Sequence, residues 1–569
     1  MLNKTNLPVL RAAVRCRTLW APVSFAALLM GACSSTDAPS DANGGTGGSQ
    51  STGATAGAAV ASGGSVVGTG GAGGAAGGLA GGNSNGGSIG GRAASSGAGG
   101  LSAVGGTSAS SAGAGAGGTS AGGSNAAGAS GAGGAGTGGP LPPTLTALFP
   151  GVGATGVCLD APLTLGFASA PSIGTAGKIS IYAASSPSTA VDSIDIGAAS
   201  YSDTIGGQMR NLVRPVFVEG NSAVVYLHQR KLAANTGYFV TVSSGTFLDA
   251  QKNPIGTITS SSAWTFTTGP APTASASMAV NRTGNGGFCT VQGAFDAIPA
   301  NNTAARTITV AAGNYHELLY LSGKQNLTLH GADRAGTVLE YPNNDKLNPG
   351  TAARPLFFAN ATTGLSIENL TIYNTTPQDG SQAEALRVQG DQVILRDSNV
   401  KSLQDTLLLS GRVYVVTSYV EGNVDFVWGT GVTYFDRSEI KTVGRAGAIV
   451  QARNGASGYG YVFVDSKLTS DAGITGQVLA RIDATVYPAS HVAYINCQMS
   501  SAISAKGWTI TPAGTTQTGS LRFWEYQSTD ANGALLSVSG RDPASKQISA
   551  SQAASMRDKA TVLAGWNPQ

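Results

Sequence analysis

Val393-Ile394-Leu395-Arg396-Asp397-Ser398-Asn399-Val400 decides the fold, because the chain writes the same phrase again and again. It returns as Val413-Tyr414-Val415-Val416-Thr417-Ser418-Tyr419-Val420 and as Val432-Thr433-Tyr434-Phe435-Asp436-Arg437-Ser438-Glu439-Ile440. Tyr461-Val462-Phe463-Val464-Asp465-Ser466-Lys467-Leu468 and Val492-Ala493-Tyr494-Ile495-Asn496-Cys497-Gln498-Met499 continue it. An earlier copy, Leu365-Ser366-Ile367-Glu368-Asn369-Leu370-Thr371-Ile372, has Leu370 at the serine position. The serines step by 20, 20 and 28 residues, and Cys497 follows Ser466 by 31. A unit of that length predicts a solenoid, here with two short strands per turn. The spacing leaves no room for helices between strands, so the architecture expected for 275–569 is a parallel β-helix. Its unequal steps place variable loops on one side, where binding sites usually lie. Thr290–Ile298 reads as a short helix opening at a capping threonine and closing the N-terminal end of the coil.

The same phase gathers acids. Asp405 lies seven residues after Ser398, and Asp425 seven after Ser418. Equivalent positions on successive coils stand one strand spacing apart, about 4.7–4.9 Å. Two carboxyls that close cannot both ionise readily, so one is pushed toward the acid form and the other stays a carboxylate. Arg453 and Arg481 share a phase, fifteen residues after Ser438 and Ser466, and either could hold the carboxylate ionised. Gln404, beside Asp405, offers a neutral amide to a developing oxyanion. Glu384, 21 residues before Asp405, is either a third carboxylate near the site or part of a solvated strand face. His228, His316, His330 and His491 form no close-spaced pair, so neither a histidine triad nor a zinc site is expected.

Upstream the texture changes. Residues 141–270 alternate short apolar runs (Leu163-Thr164-Leu165-Gly166-Phe167, Tyr238-Phe239-Val240-Thr241-Val242) with turn-forming clusters, the pattern of an all-β sandwich. Residues 34–140 are dominated by glycine. From Asp41 to Pro140 there are 39 Gly, two charged residues (Asp41 and Arg92) and no aromatic. Such a stretch cannot bury enough apolar surface to offset its ordering entropy, and is expected to be a disordered tether reaching about 50–60 Å. Residues 1–33 read as an export signal, with four basic residues ahead of the apolar run Leu19–Ala32. The formal net charge is +3; without those four cations the rest has 29 Lys+Arg against 30 Asp+Glu. A near-neutral chain with no basic stripe argues against a nucleic-acid partner. Of five cysteines, Cys16 and Cys33 fall in the leader, leaving an odd three (Cys158, Cys289, Cys497) and no expectation of a disulfide framework.

Three resemblances extend this reading. Leu29-Met30-Gly31-Ala32-Cys33 resembles a bacterial lipobox, which implies lipidation of Cys33 and an exported protein anchored at the outer membrane or cell surface; plain secretion is the alternative. Ala263-Trp264-Thr265-Phe266-Thr267-Thr268-Gly269 resembles the bacterial Ig-like repeats of surface proteins, implying a spacer module. Five motifs in order resemble the pectin methylesterase (pectinesterase) family. They are Gly313-Asn314-Tyr315-His316-Glu317, Gln382-Ala383-Glu384-Ala385-Leu386, Gln404-Asp405-Thr406, Val424-Asp425-Phe426-Val427-Trp428-Gly429 and Leu479-Ala480-Arg481.

That resemblance implies a right-handed parallel β-helix and hydrolysis of the C6 methyl esters of homogalacturonan, releasing methanol. Asp425 would be the nucleophile and Asp405 the acid/base. Gln382 and Gln404 would form the oxyanion site, and Arg481 would orient Asp425. Trp428, Phe426 and Thr406 are expected at the substrate surface, although Trp428 reads equally well as a packed core residue. Tyr315 and Glu317 are expected to be structural. No metal or cofactor is required, the partner is pectin, and a monomer is expected. The family's Leu-Gly-Arg-Pro-Trp is here Leu479-Ala480-Arg481-Ile482-Asp483, so one sugar-contacting tryptophan is missing and an acid is added. A pectate lyase or polygalacturonase, a non-catalytic pectin-binding surface protein, and an esterase acting on another ester are the alternatives.

Overall fold

The computed structural model describes residues 141, 143–284, 287–513 and 520–569; the segments expected to be an export signal and a tether, with Cys33, lie outside the described residues. Residues 145–268 build a sandwich. Its first sheet runs Leu145–Phe149, Leu163–Phe167, Ser222–Val225, Val216–Glu219, all antiparallel. The second runs Ala154–Val157, Thr265–Thr268, Gly237–Val242, Lys178–Ala183, Ala190–Asp195. Alternating residues such as Leu163, Leu165, Ile179 and Ile181 turn inward to one core. Trp264 is fully buried in it and donates its indole N–H to the Pro150 carbonyl at 2.7 Å.

From Ser277 the chain winds into a parallel β-helix. Among the described residues, one face is a ladder of eight strands from Gly313–Tyr315 to Gln498–Met499, and the other two faces interleave into a single eighteen-stranded sheet. Each full coil therefore carries three strands rather than the two expected. One coil is Leu407–Ser410, Arg412–Val416 and Tyr419–Gly422; the next is Val427–Gly429, Val432–Asp436 and Glu439–Thr442. The face that the repeated phrase does not cover, Leu407–Ser410 and Val427–Gly429, leaves no period in the sequence because its strands, three or four residues long, are almost wholly buried and carry too little alternation.

The recurring phrase is a corner. The residue before each serine, and before Cys497, adopts a left-handed conformation: Asp397 at φ 47°, Thr417 at 47°, Arg437 at 45°, Asp465 at 48° and Asn496 at 51°. That turn points the next side chain inward, and the serines stack. The Ser398 backbone N–H donates to Ser418 Oγ at 3.2 Å, Ser418 N–H to Ser438 Oγ at 3.2 Å, and Ser438 N–H to Ser466 Oγ at 3.1 Å. Corner amides that the strand ladders leave over are thereby satisfied inside the core. Aromatic rings stack likewise, Phe435 on Phe463 with centroids 4.3 Å apart and Phe463 on Tyr494 at 4.6 Å.

Val291–Ala297 is the expected helix, capped by Thr290 Oγ, which accepts from Gly293 N–H at 3.0 Å; Val291 and Phe295 seal the first coils. Contrary to the reading of the cysteines, Cys158 and Cys289 form a disulfide between the sandwich and this cap, while Cys497 stays free and buried. Sequence could not pair them, because the partners are 131 residues apart, one in the sandwich and one beside the cap of the β-helix. The junction is reinforced by Asp160, whose carboxylate accepts from Cys289 N–H, Thr290 N–H and Thr290 Oγ–H at 2.6–2.9 Å. Glu219 lies between Arg282 and His316; burial raises its carboxyl, but the hydrogen bonds from these two partners win and bring it down to about 2.

The serine ladder makes a measurable prediction. Ser418→Ala removes the acceptor of the buried Ser398 N–H, and equilibrium denaturant unfolding should show a loss of about 1–3 kcal/mol.

Candidate functional site

The acids come together through strand register. Leu386 pairs with Leu407, and Leu407 with Val427. Two residues upstream, the same register aligns Glu384, Asp405 and Asp425 on three successive coils. Gln404 and Val424, one residue before each aspartate, form a parallel bridge, and Asp405 N–H donates to the Val424 carbonyl at 3.1 Å. Both aspartates occupy corners with left-handed backbone, φ 66° at Asp405 and 49° at Asp425, which aspartate tolerates better than most residues. The coil tightens there: a Cβ on Gly422 would lie 2.2 Å from the Cβ of Phe426, so only glycine fits.

The two carboxyls have different partners. Asp425 is held by Arg481, whose Nε donates to Oδ1 at 2.6 Å and whose Nη2 donates to Oδ2. That hydrogen bond, above all, raises the Arg481 guanidinium further. Arg481 keeps 39% side-chain exposure, so it bounds the open side of the site. Asp405 is buried and receives Arg354 Nη2 at 3.1 Å. Burial pushes its carboxyl well above the usual carboxylate range; Glu384 and then Asp425 add to the rise, while Arg354 and Arg453 oppose it. An ion-paired carboxylate one rung from a carboxyl that prefers its proton is a combination suited to nucleophilic and general-acid chemistry.

Gln404 and Gln382 are half-buried, and the side-chain amide of neither hydrogen-bonds to any described residue. Both are thus free to donate to a bound group. Gln404 adjoins Asp405 directly, whereas Gln382 lies two residues before Glu384, on the coil behind. Trp428 stands on the outward row Leu408–Trp428–Gln451 yet is only 7% exposed, because cations cover it. The Arg453 guanidinium lies 4.7 Å from its ring centroid and that of Arg354 5.9 Å. Arg453 is fixed there by two hydrogen bonds to Gln451 Oε1, at 3.0 and 2.5 Å, and does not touch either aspartate. Trp428 is therefore a platform for arginine.

Two expected substrate contacts are corrected. Phe426 is fully buried in the main core, since the residue after a left-handed corner turns inward. Thr406 is also fully buried and donates to the Glu421 carbonyl at 2.8 Å. Neither can face a sugar. Of the two readings of Glu384 the first holds: it is a third carboxyl beside Asp405, fully buried and bound by Arg354. Tyr315 is buried in the core, and Glu317 caps the helix by accepting from Val291 N–H and Gln292 N–H, both at 3.0 Å. Asp483 is exposed and turned onto Thr485. Arg354 carries no signal in the sequence. It sits in a loop outside the repeat, so no phase could link it to Asp405.

Comparison with known proteins matches residues 277–561 to the pectinesterase family and residues 140–268 to the bacterial Ig-like domain. Pectinesterase 31 of Arabidopsis thaliana is 29% identical over 204 residues, 34% of this chain and 64% of its own length. Pectinesterase 2 of Olea europaea is 30% identical over 264 residues, 43% of this chain and 68% of its own length. The chain thus spans about two thirds of these curated relatives. The solved pectin methylesterase from carrot superposes with a TM-score of 0.46 at 23% identity, covering 51% of this chain and 93% of that one.

Asp405 supplies the prediction of this site. Its raised carboxyl means that the folded chain retains a proton which the unfolded chain loses above about pH 3.9. Stability is therefore drained as pH rises from there toward the folded value. Asp405→Asn cannot ionise, and should unfold at higher denaturant than the parent at neutral pH, with the gap closing as pH falls below about 4.

Proposed function

The chain belongs to the pectinesterase family, and from that footing we propose that it hydrolyses the C6 methyl esters of homogalacturonan to pectate and methanol. The observation that carries this is the register of Asp405 and Asp425, with Arg481 on one and none of its hydrogen bonds on the other. In the first half-reaction the Asp425 carboxylate attacks the ester carbonyl carbon, and negative charge gathers on the carbonyl oxygen. The amides of Gln404 and Gln382 would stabilise that oxyanion. Asp405 gives its proton to the departing methoxy oxygen, so methanol leaves and an anhydride joins substrate to Asp425. In the second, Asp405, now ionised, takes a proton from water as its oxygen attacks the substrate carbonyl, and the Asp425 carboxylate is released. Arg481 holds Asp425 pointed at the carbonyl and stabilises it as attacking and leaving group.

The substrate proposed is therefore a polyanionic sugar chain. Arg453 on Trp428 and the exposed edge of Arg481 offer cations to its free carboxylates, while Asp483 stands where the family has the tryptophan after its arginine. That replacement supports, as a second reading, an esterase acting on a less acidic ester. No helix among the described residues is long and apolar enough to cross a membrane. Export and anchoring through a lipidated Cys33, with the Gly-rich segment as tether, rest on the sequence of residues 1–140; the enzyme is proposed to act as a monomer.

Methanol release from methyl-esterified pectin tests the assignment. Asp425→Asn should lower it by about a thousandfold or more, and Gln404→Ala should lower kcat by about a hundredfold with KM little changed. Chelator should have no effect. Full activity in Asp425→Asn refutes the nucleophile; tight pectin binding without methanol selects a surface lectin, and unsaturated ends select a lyase.

A further inference from the structure

Resting on the reading of Asp405 as the acid, we propose that Arg354 and Glu384 are a charge-compensated pair of positioning residues. The arginine gives Asp405 a directed hydrogen bond, the glutamate cancels the arginine's charge, and together they set the alkaline limit of the reaction.

The geometry is specific. Arg354, 5% exposed, enters from the loop ahead of the strand Phe357–Glu368. Its Nε donates to Glu384 Oε2 at 2.9 Å and its Nη2 to Glu384 Oε1 at 2.8 Å, a two-pronged pair. The same Nη2 reaches Asp405 Oδ2 at 3.1 Å, and Nη1 reaches Asp345 Oδ1 at 3.1 Å. Glu384 has no exposed surface and stands one rung from Asp405, as Asp425 does on the other side. The delivering loop is braced from within and without. Asn343 donates to the Ala353 and Pro355 carbonyls, both at 2.9 Å. The sandwich hairpin grips it as well, through Arg210 to the Ala352 carbonyl at 2.9 Å and Asn211 N–H to Asn348 Oδ1 at 2.8 Å.

Charge explains why both members are buried. An arginine alone against Asp405 would pull its carboxyl down by about 1–3 units and strip the proton that methanol must receive. A glutamate alone would be an uncompensated buried charge. Paired, they leave a strong, oriented donor with little net charge. The groups facing Asp405 are Glu384 and Arg354 from behind, Asp425 from the next coil, and Arg453 and Arg481 from the coils beyond. Arg387 and Asp345 complete the surroundings of the pair. Four carboxyls (Asp345, Glu384, Asp405, Asp425) meet three guanidinium groups at the heart of the site (Arg354, Arg453, Arg481). Asp405, the buried one that the guanidinium groups grip least, holds the proton.

Glu384→Gln in the full chain tests this, since it keeps the shape and an acceptor for Arg354 but removes the charge. Two readouts apply: the pH profile of kcat for methanol release, and infrared titration of the protonated Asp405 carboxyl, identified as the band missing in Asp405→Asn. Both should move to lower pH by about one unit. If both stay at the parental pH, the proposal is overturned. A band that shifts in a protein whose parent releases no methanol leaves the pair standing and refutes the esterase reading instead. Should the single variant fail to fold, Arg354→Met with Glu384→Leu removes both charges at once. Its alkaline limb should lie within half a unit of the parent while kcat falls about tenfold or more, for want of the hydrogen bond. An undiminished kcat in that double variant, or a limb moved a full unit down, overturns the pair.

Discussion

Parallel stacking in register is the constraint on which everything else depends. Each coil satisfies its backbone by hydrogen-bonding to the coils before and after, so a residue at one corner must lie a strand spacing from its equivalent at the next. The rule is indifferent to chemistry. It stacks serines into a ladder, rings into a column, and acids into a row. Glu384, Asp405 and Asp425 repel one another, yet the ladder holds them together because shifting the register by one residue would turn every inward apolar side chain of the coil toward water. Electrostatic strain at the site is thus borne by the packing of Leu407, Phe426, Val427 and their stacked neighbours.

Three arginines resolve that strain, each from a different part of the chain. Arg481 comes from a later coil and binds Asp425. Arg453 lies over the Trp428 ring, contributing charge without touching either aspartate. Arg354 comes from an earlier loop and is shared between Glu384, Asp405 and Asp345. The outcome is asymmetric, and asymmetry is what two identical side chains need if one is to attack and the other to give up a proton.

The Ig-like sandwich has more to do with this site than a spacer would. A disulfide, the Asp160 carboxylate and the Glu219 pair lock it to the first coils, and its hairpin 201–212 holds the loop that carries Arg354. Between the two parts lies a cavity of about 350 Å³ walled by Phe217, Tyr226, Leu318 and Tyr341, where burial raises the Glu317 carboxyl to about 7. The sandwich is one structural body with the N-terminal end of the β-helix.

The recurrence of Ser398, Ser418, Ser438 and Ser466 was enough to establish a solenoid, and counting seven from the serines was enough to make Asp405 and Asp425 neighbours. Both follow from sequence alone because a repeat writes its spatial period directly into residue number. Which positions turn inward at the corners was not legible: Phe426 and Thr406 sit beside the acids in sequence but face the core, because the left-handed backbone at Asp425 and Asp405 redirects the next side chain. Nor could residue number reveal Arg354, the pairing of Cys158 with Cys289, or the burial of Glu384. These join segments that share no period, and contact between such segments is fixed only when the chain has folded and the loops, sandwich and coils compete for the same space.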